Sequence, residues 1–279
     1  MTHRFTRRTL PFLILACSAT ARPQGMPTTQ PAMLQIGIEE IKLGRDVEHG
    51  KNEAGWPAAF TKAKSKYNYL ALVSMTGRNE VWYVSPYANH AAMADGMKAN
   101  EDDPALAAEL ARLYKADAEF LASFRSLQAR GRPDLSYGTF PNLAKQHFTE
   151  ITWFRVRPGH EAGFEAASKA YGSAAKRSAP TTSYRVYEVI AGVPGPTYLI
   201  FSSVGGFAEF DKGMAAGEAT MKGATKDEMN TLTKFSAEGV LNTETQRFRV
   251  DPAQSFVPKE TRDQDPAFWY PKKPAAKTP

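Results

Sequence analysis

The apolar and polar positions of the chain follow the same order twice. Residues 81–97 and residues 198–214 each start with a β-rich apolar run, continue through a serine and a short break, and end in a helix-like stretch that closes on Gly-Met. Four more pairs of similar segments occur in the same order: 38–43 with 151–156, 53–59 with 161–167, 69–77 with 184–192, and 133–137 with 252–256. A spacing of more than about 100 residues indicates duplicated domains and not a solenoid.

Each half shows the same succession of strand and helix patterns. Alternating apolar positions predict strands over 34–38, 69–76, 80–85 and 126–130 in the first half, and over 148–156, 184–191, 198–202 and 243–250 in the second. Helices are predicted after Gly44 and Gly159, and again after Asn89, whose side chain can cap a helix. The order β-α-β-β-α-β is that of the ferredoxin-like unit. We therefore predict an α+β protein with one unit over 34–140 and a second over 146–256.

Two such units in one chain complement each other. The helices of a ferredoxin-like unit cover one face of its antiparallel sheet, so the other face needs a partner when it is apolar. We expect the two sheets to face each other as an internal dimer. One chain then forms the complete fold as a monomer, and further oligomerisation stays open.

The segments RVRPGHEAGFEAA and FSSVGGFAEFDKG carry a resemblance to a known fold family. The chain resembles the dimeric α+β-barrel superfamily over 34–256; this group includes antibiotic-biosynthesis monooxygenase-like, NIPSNAP-like and chlorite-dismutase-like proteins. The first half departs from the pattern through an insert near 46–52 and through Pro57, which disfavours a continuous helix. The resemblance implies an oxygenase or a haem-handling, peroxidase-like enzyme as an alternative to simple binding. No histidine here aligns with the axial haem ligand of the dismutase-like proteins.

The two ends of the chain differ in composition from its body. Arg4, Arg7 and Arg8 precede a short apolar run and Ala19-Thr20-Ala21, which predicts a signal peptide over 1–21 and export to the periplasm or the medium. Cys17 closes the apolar run and is an alternative lipidation site. We predict a linker over 22–33 and a disordered Pro- and Lys-rich tail over 257–279. The alternative is that the aromatic residues 268–270 anchor this tail to the body of the protein.

Charge and cysteine content exclude several classes of function. Of the net charge of +6, residues 1–21 carry +3 and the tail +2, which leaves only +1 for the body, too little for a nucleic-acid surface. The apolar run near the start is shorter than the roughly 20 residues of a membrane span, so we expect no transmembrane segment. Because the single cysteine precedes the body, thiolate chemistry and Cys-bound zinc are excluded there.

Two histidines lie close to carboxylates in the sequence. His49 stands between Glu48 and Glu53, and His160 precedes Glu161 and Glu165. Both groups fall at the start of a predicted helix, where carboxylates oppose the helix dipole. We interpret them as helix-start electrostatics and expect no metal site.

The differences between the two halves suggest a binding site. His90 stands opposite Phe207, Tyr83 opposite Ile200, and Trp153 opposite Glu40. We predict that a small, mostly apolar ligand binds between the two units without a cofactor, with haem as the alternative. The plainer interpretation is a surface histidine beside core aromatic residues. The candidate ligand-binding residues are Trp82, Tyr83, Tyr87, His90 and Trp153.

Overall fold

Two β-α-β-β-α-β units follow one another in the computed structural model, which describes residues 25–271. In the first unit both helical segments are divided in two. Its elements are β1 (Met33–Ile41), α1 (Asp46–Glu53), α2 (Gly55–Lys62), β2 (Leu70–Ser74), β3 (Glu80–Tyr87), α3 (His90–Glu101), α4 (Pro104–Asp117) and β4 (Leu121–Gly131).

The second unit repeats this order after a short 3₁₀ turn at Leu143–Lys145. Its first helix is continuous, and two short helices follow its last strand. Its elements are β5 (Phe148–Val156), α5 (Glu161–Ser178), β6 (Arg185–Ala191), β7 (Thr197–Val204), α6 (Glu209–Lys222), α7 (Lys226–Glu238) and β8 (Val240–Val250), followed by α8 (Lys259–Arg262) and α9 (Pro266–Trp269).

The eight strands close into one barrel in the order β1-β3-β2-β8-β5-β7-β6-β4. The units join where β2 pairs with β8 and where β4 pairs with β6, both antiparallel. Closure removes the free sheet edges that a single unit would expose. The predicted α+β class, the ferredoxin-like units and the internal dimer are confirmed.

Local sequence signals explain the helix boundaries. The Asn89 side chain accepts a hydrogen bond from the Ala92 backbone N–H and starts α3, and Thr225 forms a capping box with Glu228 at the start of α7. Pro57 lies in the first turn of α2, where its missing N–H costs no helical hydrogen bond. The break between α1 and α2 is therefore a consequence of the position of this proline.

The barrel interior is filled by side chains from both units. Inward-facing residues alternate with outward-facing residues along each strand. Trp82, Phe248, Ile36 and Ile151 in the interior are all 0% exposed. The helices cover the outer face of the barrel and form a second apolar layer against it.

The segments flanking the units are docked on the barrel. Val257 and Trp269 belong to the main core, and the Trp269 Nε1–H donates to the Ala144 carbonyl oxygen at 2.9 Å. The Phe268 ring stacks on His147 with a centroid distance of 3.9 Å. The sequence predicts a disordered tail over 257–279, whereas its described part, 257–271, contains two short helices and packs on the barrel, because three apolar side chains among polar ones anchor it. Met26, in the predicted linker, also packs against the core.

The predicted signal peptide, including Cys17, lies outside the described residues. Within residues 25–271, no helix is both long enough and apolar enough to cross a bilayer.

Candidate functional site

Trp82 and Trp153 lie inside the barrel and contact each other. Their rings are 5.4 Å apart in an edge-on arrangement, and Trp82 is 5.1 Å from the Phe248 ring. The Trp82 Nε1–H donates to the buried carboxylate of Glu80 at 3.0 Å. These two tryptophans therefore fill the middle of the space between the sheets, where the sequence predicts a ligand. A cavity of about 90 Å³, lined by residues of both units, remains at one end of the barrel.

The other three predicted residues lie elsewhere. Tyr83 follows Trp82 on the strand and so points outward, beneath the helices, with its ring 5.8 Å from Tyr69. Tyr87 is on the same face, near Tyr67. His90 is exposed at the start of α3. The five predicted residues do not form one site, because neighbouring positions of a strand face opposite sides of the sheet.

The strand bulges correct one of the predicted pairs between the halves. The register shifts at Glu40/Ile41 in β1 and at Arg155/Val156 in β5. Counting back from these equivalent bulges places Trp153 opposite Ile38 and Phe154 opposite Glu39. Trp153 and Ile38 both face the barrel interior, so the two halves differ here only in the volume of a core side chain.

A cavity of about 890 Å³ lies between the barrel and the helices of the second unit. Its barrel side comes from β5, β6, β7 and β8, and its helical side from α5, α6 and α7. The apolar part of its lining is rich in aromatic rings. It includes Phe154, Phe164, Val186, Ile200, Leu232 and Phe235.

Polar groups also line the cavity. Thr152 and Thr245 share a hydrogen bond between their Oγ1 atoms at 2.9 Å. Arg247 donates to Glu150 at 2.9 Å, and its guanidinium lies 4.5 Å from the centre of the Phe210 ring. The sheet wall thus carries hydroxyl groups beside Phe154, and the helical wall adds further aromatic rings. This lining suits a mostly apolar molecule that carries oxygen atoms.

The corresponding layer of the first unit contains a buried polar cluster. Glu39, His49, Glu53 and Asp117 each offer one ligand atom, and these atoms lie within 4.8 Å of one another. The His49 Nε2 is 2.9 Å from Glu39 Oε2 and 3.7 Å from Asp117 Oδ1. His49 and Glu53 are one turn apart on α1, Glu39 faces outward from β1, and Asp117 ends α4.

Hydrogen-bond donors surround the cluster. The Trp56 Nε1–H donates to Glu53 Oε1 at 2.9 Å, and the Asn52 side chain donates to Asp117 Oδ1 at 3.4 Å. The Tyr83 hydroxyl donates to Gln254 at 3.1 Å and is also within hydrogen-bonding reach of Glu53. No lysine or arginine among residues 25–271 pairs with these carboxylates.

The surroundings raise the pKa of two of these carboxyl groups. Burial, followed by the charges of Glu39 and Asp117, raises the pKa of Glu53 to about 9. Burial and the charge of Glu39 raise the pKa of Asp117 to about 6, although His49 opposes the shift. Adding negative charge here is unfavourable unless a proton or a cation compensates it.

The second unit has aromatic rings where the first has this cluster. The bulge register aligns Glu39 with Phe154. Because α1 and α5 both begin five residues after the bulge, it also aligns His49 with Phe164. The Phe154 and Phe164 rings lie 5.8 Å apart. The contact between the sheet and the first helix is therefore apolar in the second unit and made by charged groups in the first.

Sequence reasoning found only half of this cluster. His49 and Glu53 are singled out by their spacing and interpreted as helix-start electrostatics, but both are buried in the interior of the unit. Glu39 and Asp117 carry a weaker signal: a charged residue in an alternating strand, and a helix-ending aspartate. Only the fold brings these four side chains together. His160 and Glu165 stay at the start of α5, where Glu165 pairs with Arg132 at 2.8 Å.

Solved structures share this fold. A "putative monooxygenase" from Fusobacterium nucleatum superposes with a TM-score of 0.53 and 10% identity, covering 78% of this chain and 91% of that one. An "anthrone oxidase-like protein" superposes with a TM-score of 0.52 and 11% identity, covering 80% and 93%. A chlorite dismutase from Candidatus Nitrospira defluvii reaches 0.47 with 8% identity, covering 81% and 93%. No protein-family profile and no curated protein sequence matches the chain. The closed barrel and the first two superpositions establish the dimeric α+β-barrel fold, and at these identities the likeness extends to the fold alone.

Proposed function

We propose that the protein binds a small, mostly apolar ligand in the cavity between the barrel and the helices of its second unit. The observation that carries this proposal is the cavity of about 890 Å³, much larger than the space of about 90 Å³ left at one end of the barrel interior. Ligand pockets of soluble proteins typically measure about 300–1,000 Å³ and combine an apolar lining with a few polar groups. We propose this cavity in place of the site that the sequence predicts between the two sheets.

The lining indicates how such a ligand would be held. Flat rings pack favourably against Phe154, Phe164 and Phe235, because aromatic pairs contribute beyond the area they bury. Oxygen atoms on the ligand can meet the hydroxyl groups of Thr152 and Thr245. We therefore favour an aromatic or alicyclic molecule with hydroxyl or keto groups.

Two tryptophan substitutions in α6 test the location of the ligand site. Ala216 lines the cavity, whereas its neighbour Ala215 is exposed and does not. In a titration with the fluorescent probe 1-anilinonaphthalene-8-sulfonate, the parent and Ala215→Trp should show saturable fluorescence enhancement. Ala216→Trp should lose it, because the indole occupies the cavity. Equal enhancement in all three proteins would place the apolar site elsewhere.

An oxygenase acting on the bound molecule is the alternative within the same site. It is suggested by the fold shared with the proteins named as a monooxygenase and as anthrone oxidase-like. No histidine among the described residues lines the cavity, so an axial imidazole for haem is not provided there. Oxygen consumption by the purified protein with a hydroxylated aromatic substrate, measured with and without added haemin, separates oxygenase from carrier.

A second function, divalent metal binding, is favoured by the cluster of Glu39, His49, Glu53 and Asp117. Three carboxylates and one imidazole carry a charge between −3 and −2 when the carboxylates are ionised, and a divalent cation would offset most of it. Three oxygen donors and one nitrogen donor suit Mn²⁺, Fe²⁺ or Zn²⁺. Trp56 and Asn52 would orient the ligating carboxylates.

Metal analysis of the purified protein tests this second function. We expect one equivalent of a first-row divalent metal in the parent and in Glu48→Gln, whose carboxylate is half-exposed on the same helix. Glu53→Gln and His49→Gln should lose it. Metal-free parent protein that fails to take up Mn²⁺ or Zn²⁺ in a calorimetric titration would refute metal binding.

Export completes the proposal, since a periplasmic or secreted protein can capture a ligand outside the cytoplasm. It rests on the sequence of residues 1–21. Mass spectrometry of the protein from its own host should find an N-terminus at Arg22 or a lipidated Cys17, and recovery of intact Met1 would argue against both forms.

A further inference from the structure

One end of the barrel carries a small cavity lined by three arginines. It measures about 150 Å³, and Arg78, Arg125 and Arg155 line it together with Trp153. Trp153 and Arg155 share a face of β5 with the core residue Ile151, and Arg125 shares a face of β4 with Leu127. The inward-facing side of these strands thus changes from apolar to cationic at the mouth of the barrel.

The charges at this mouth are only partly balanced. Arg125 donates to the buried Glu80 at 2.9 Å and lies over the Trp153 ring at 5.7 Å. Among residues 25–271, Arg78 and Arg155 take part in no ion pair or side-chain hydrogen bond. Glu244, which is exposed, contributes the one carboxylate among the lining residues. The lining therefore retains a net positive charge.

A buried amide next to these arginines lacks a partner. Gln246 is 2% exposed and lines the same cavity, and its Nε2 has no hydrogen-bond acceptor. Its side chain is held against the β2–β3 turn, where a Cβ on Gly77 would come within 2.5 Å of Nε2. A buried donor left without an acceptor is costly, and such groups are few in native proteins.

We propose that this mouth binds a small oxyanion. Two guanidinium groups without partners and an amide donor without an acceptor form a set that an acceptor-only, negatively charged group would satisfy. The shared chemistry is that of phosphate, sulfate or carboxylate, either as a free ion or as part of a larger molecule. The barrel mouth is separate from the sheet–helix cavity of the second unit, so this inference does not depend on the proposed function.

Calorimetric titration of the full-length chain at constant ionic strength tests the proposal, with inorganic phosphate, sulfate and acetate as separate probes. We expect saturable binding of at least one probe with a stoichiometry of one. Preference for phosphate or sulfate identifies a free tetrahedral anion, and preference for acetate identifies a carboxylate ligand. Arg78→Gln and Arg155→Gln should each weaken binding by about tenfold or more, because each removes a charge-assisted hydrogen bond.

Two further variants separate a built site from net charge and from structure. Arg112→Gln removes an exposed arginine on α4 and should leave affinity unchanged. Gln246→Met should weaken binding while leaving the melting temperature of the anion-free protein unchanged or raised, because the orphan donor disappears. Absence of saturable binding in the parent, or equal weakening by Arg112→Gln, would overturn the proposal. Unchanged affinity in Gln246→Met would also overturn the role of the amide.

Discussion

Glu53→Gln should change how the stability of the metal-free protein depends on pH. The pKa of Glu53 rises from 4.5 to about 9 on folding, chiefly through burial. Below pH 4.5 the carboxyl is protonated in both states. Between pH 4.5 and about 9 the unfolded chain releases this proton and the folded chain keeps it, so stability falls as pH rises through this window.

The size of the expected loss in stability follows from the shift in the pKa of Glu53. Each pH unit within this window changes the free energy of unfolding by about 1.4 kcal/mol. Between pH 4.5 and pH 7, Glu53 alone therefore lowers the free energy of unfolding by on the order of 3 kcal/mol. Asp117, with a pKa of about 6, adds a smaller loss that ends near that pH. In the Glu53→Gln variant the new amide would stay neutral and could still accept the hydrogen bond from Trp56.

Urea unfolding with EDTA at pH 5, 6, 7, 8 and 9 measures this dependence. The parent and the matched control Glu48→Gln should lose stability throughout this range, whereas Glu53→Gln should lose it only up to about pH 6. Adding Mn²⁺ or Zn²⁺ should reverse the trend in the parent, because a metal binds the deprotonated groups. Parallel curves for the parent and Glu53→Gln between pH 6 and pH 8 would refute the assignment of a buried, protonated carboxyl.

Three further predictions concern the framework. Trp82→Ala should lower the free energy of unfolding in urea by about 3–5 kcal/mol, because it opens a void in the barrel interior; a loss below about 1 kcal/mol would contradict a packed interior. Trp269→Ala should cost about 3 kcal/mol in the same assay, and an unchanged value would mean that the C-terminal segment does not contribute to the core. Asn89→Ala and Thr225→Ala, at helix caps of the first and second units, should each cost about 1 kcal/mol in thermal unfolding followed by circular dichroism; no loss in either would argue against these caps.

Periodicity suffices to predict the architecture, because a duplicated pattern of strands and helices restricts the chain to few arrangements. The strands of both halves and the Asn89 cap occur where alternation and capping chemistry place them. The predicted equivalence of the halves is shifted in β1 and in the first helix, since bulges at Glu40/Ile41 and Arg155/Val156 set the register. A bulge depends on strand pairing and leaves little trace in one sequence.

The candidate sites depend on tertiary structure to a greater degree. Trp82 and Tyr83 are adjacent in sequence, yet one fills the barrel and the other faces the helices. Glu39 and Asp117 are far apart along the chain and converge only after β1, α1 and α4 pack. The cavity of the second unit lies between the sheet and α5, α6 and α7, and its existence depends on how these elements pack, which residue patterns do not encode.

Native mass spectrometry of the protein purified from its own host tests the central claim most directly. The parent and Ala215→Trp should carry a small-molecule adduct that denaturing conditions release, and Ala216→Trp, with its cavity filled, should be free of it. Absence of any adduct from the parent, or an adduct retained by Ala216→Trp, would contradict a ligand site between the barrel and the helices of the second unit.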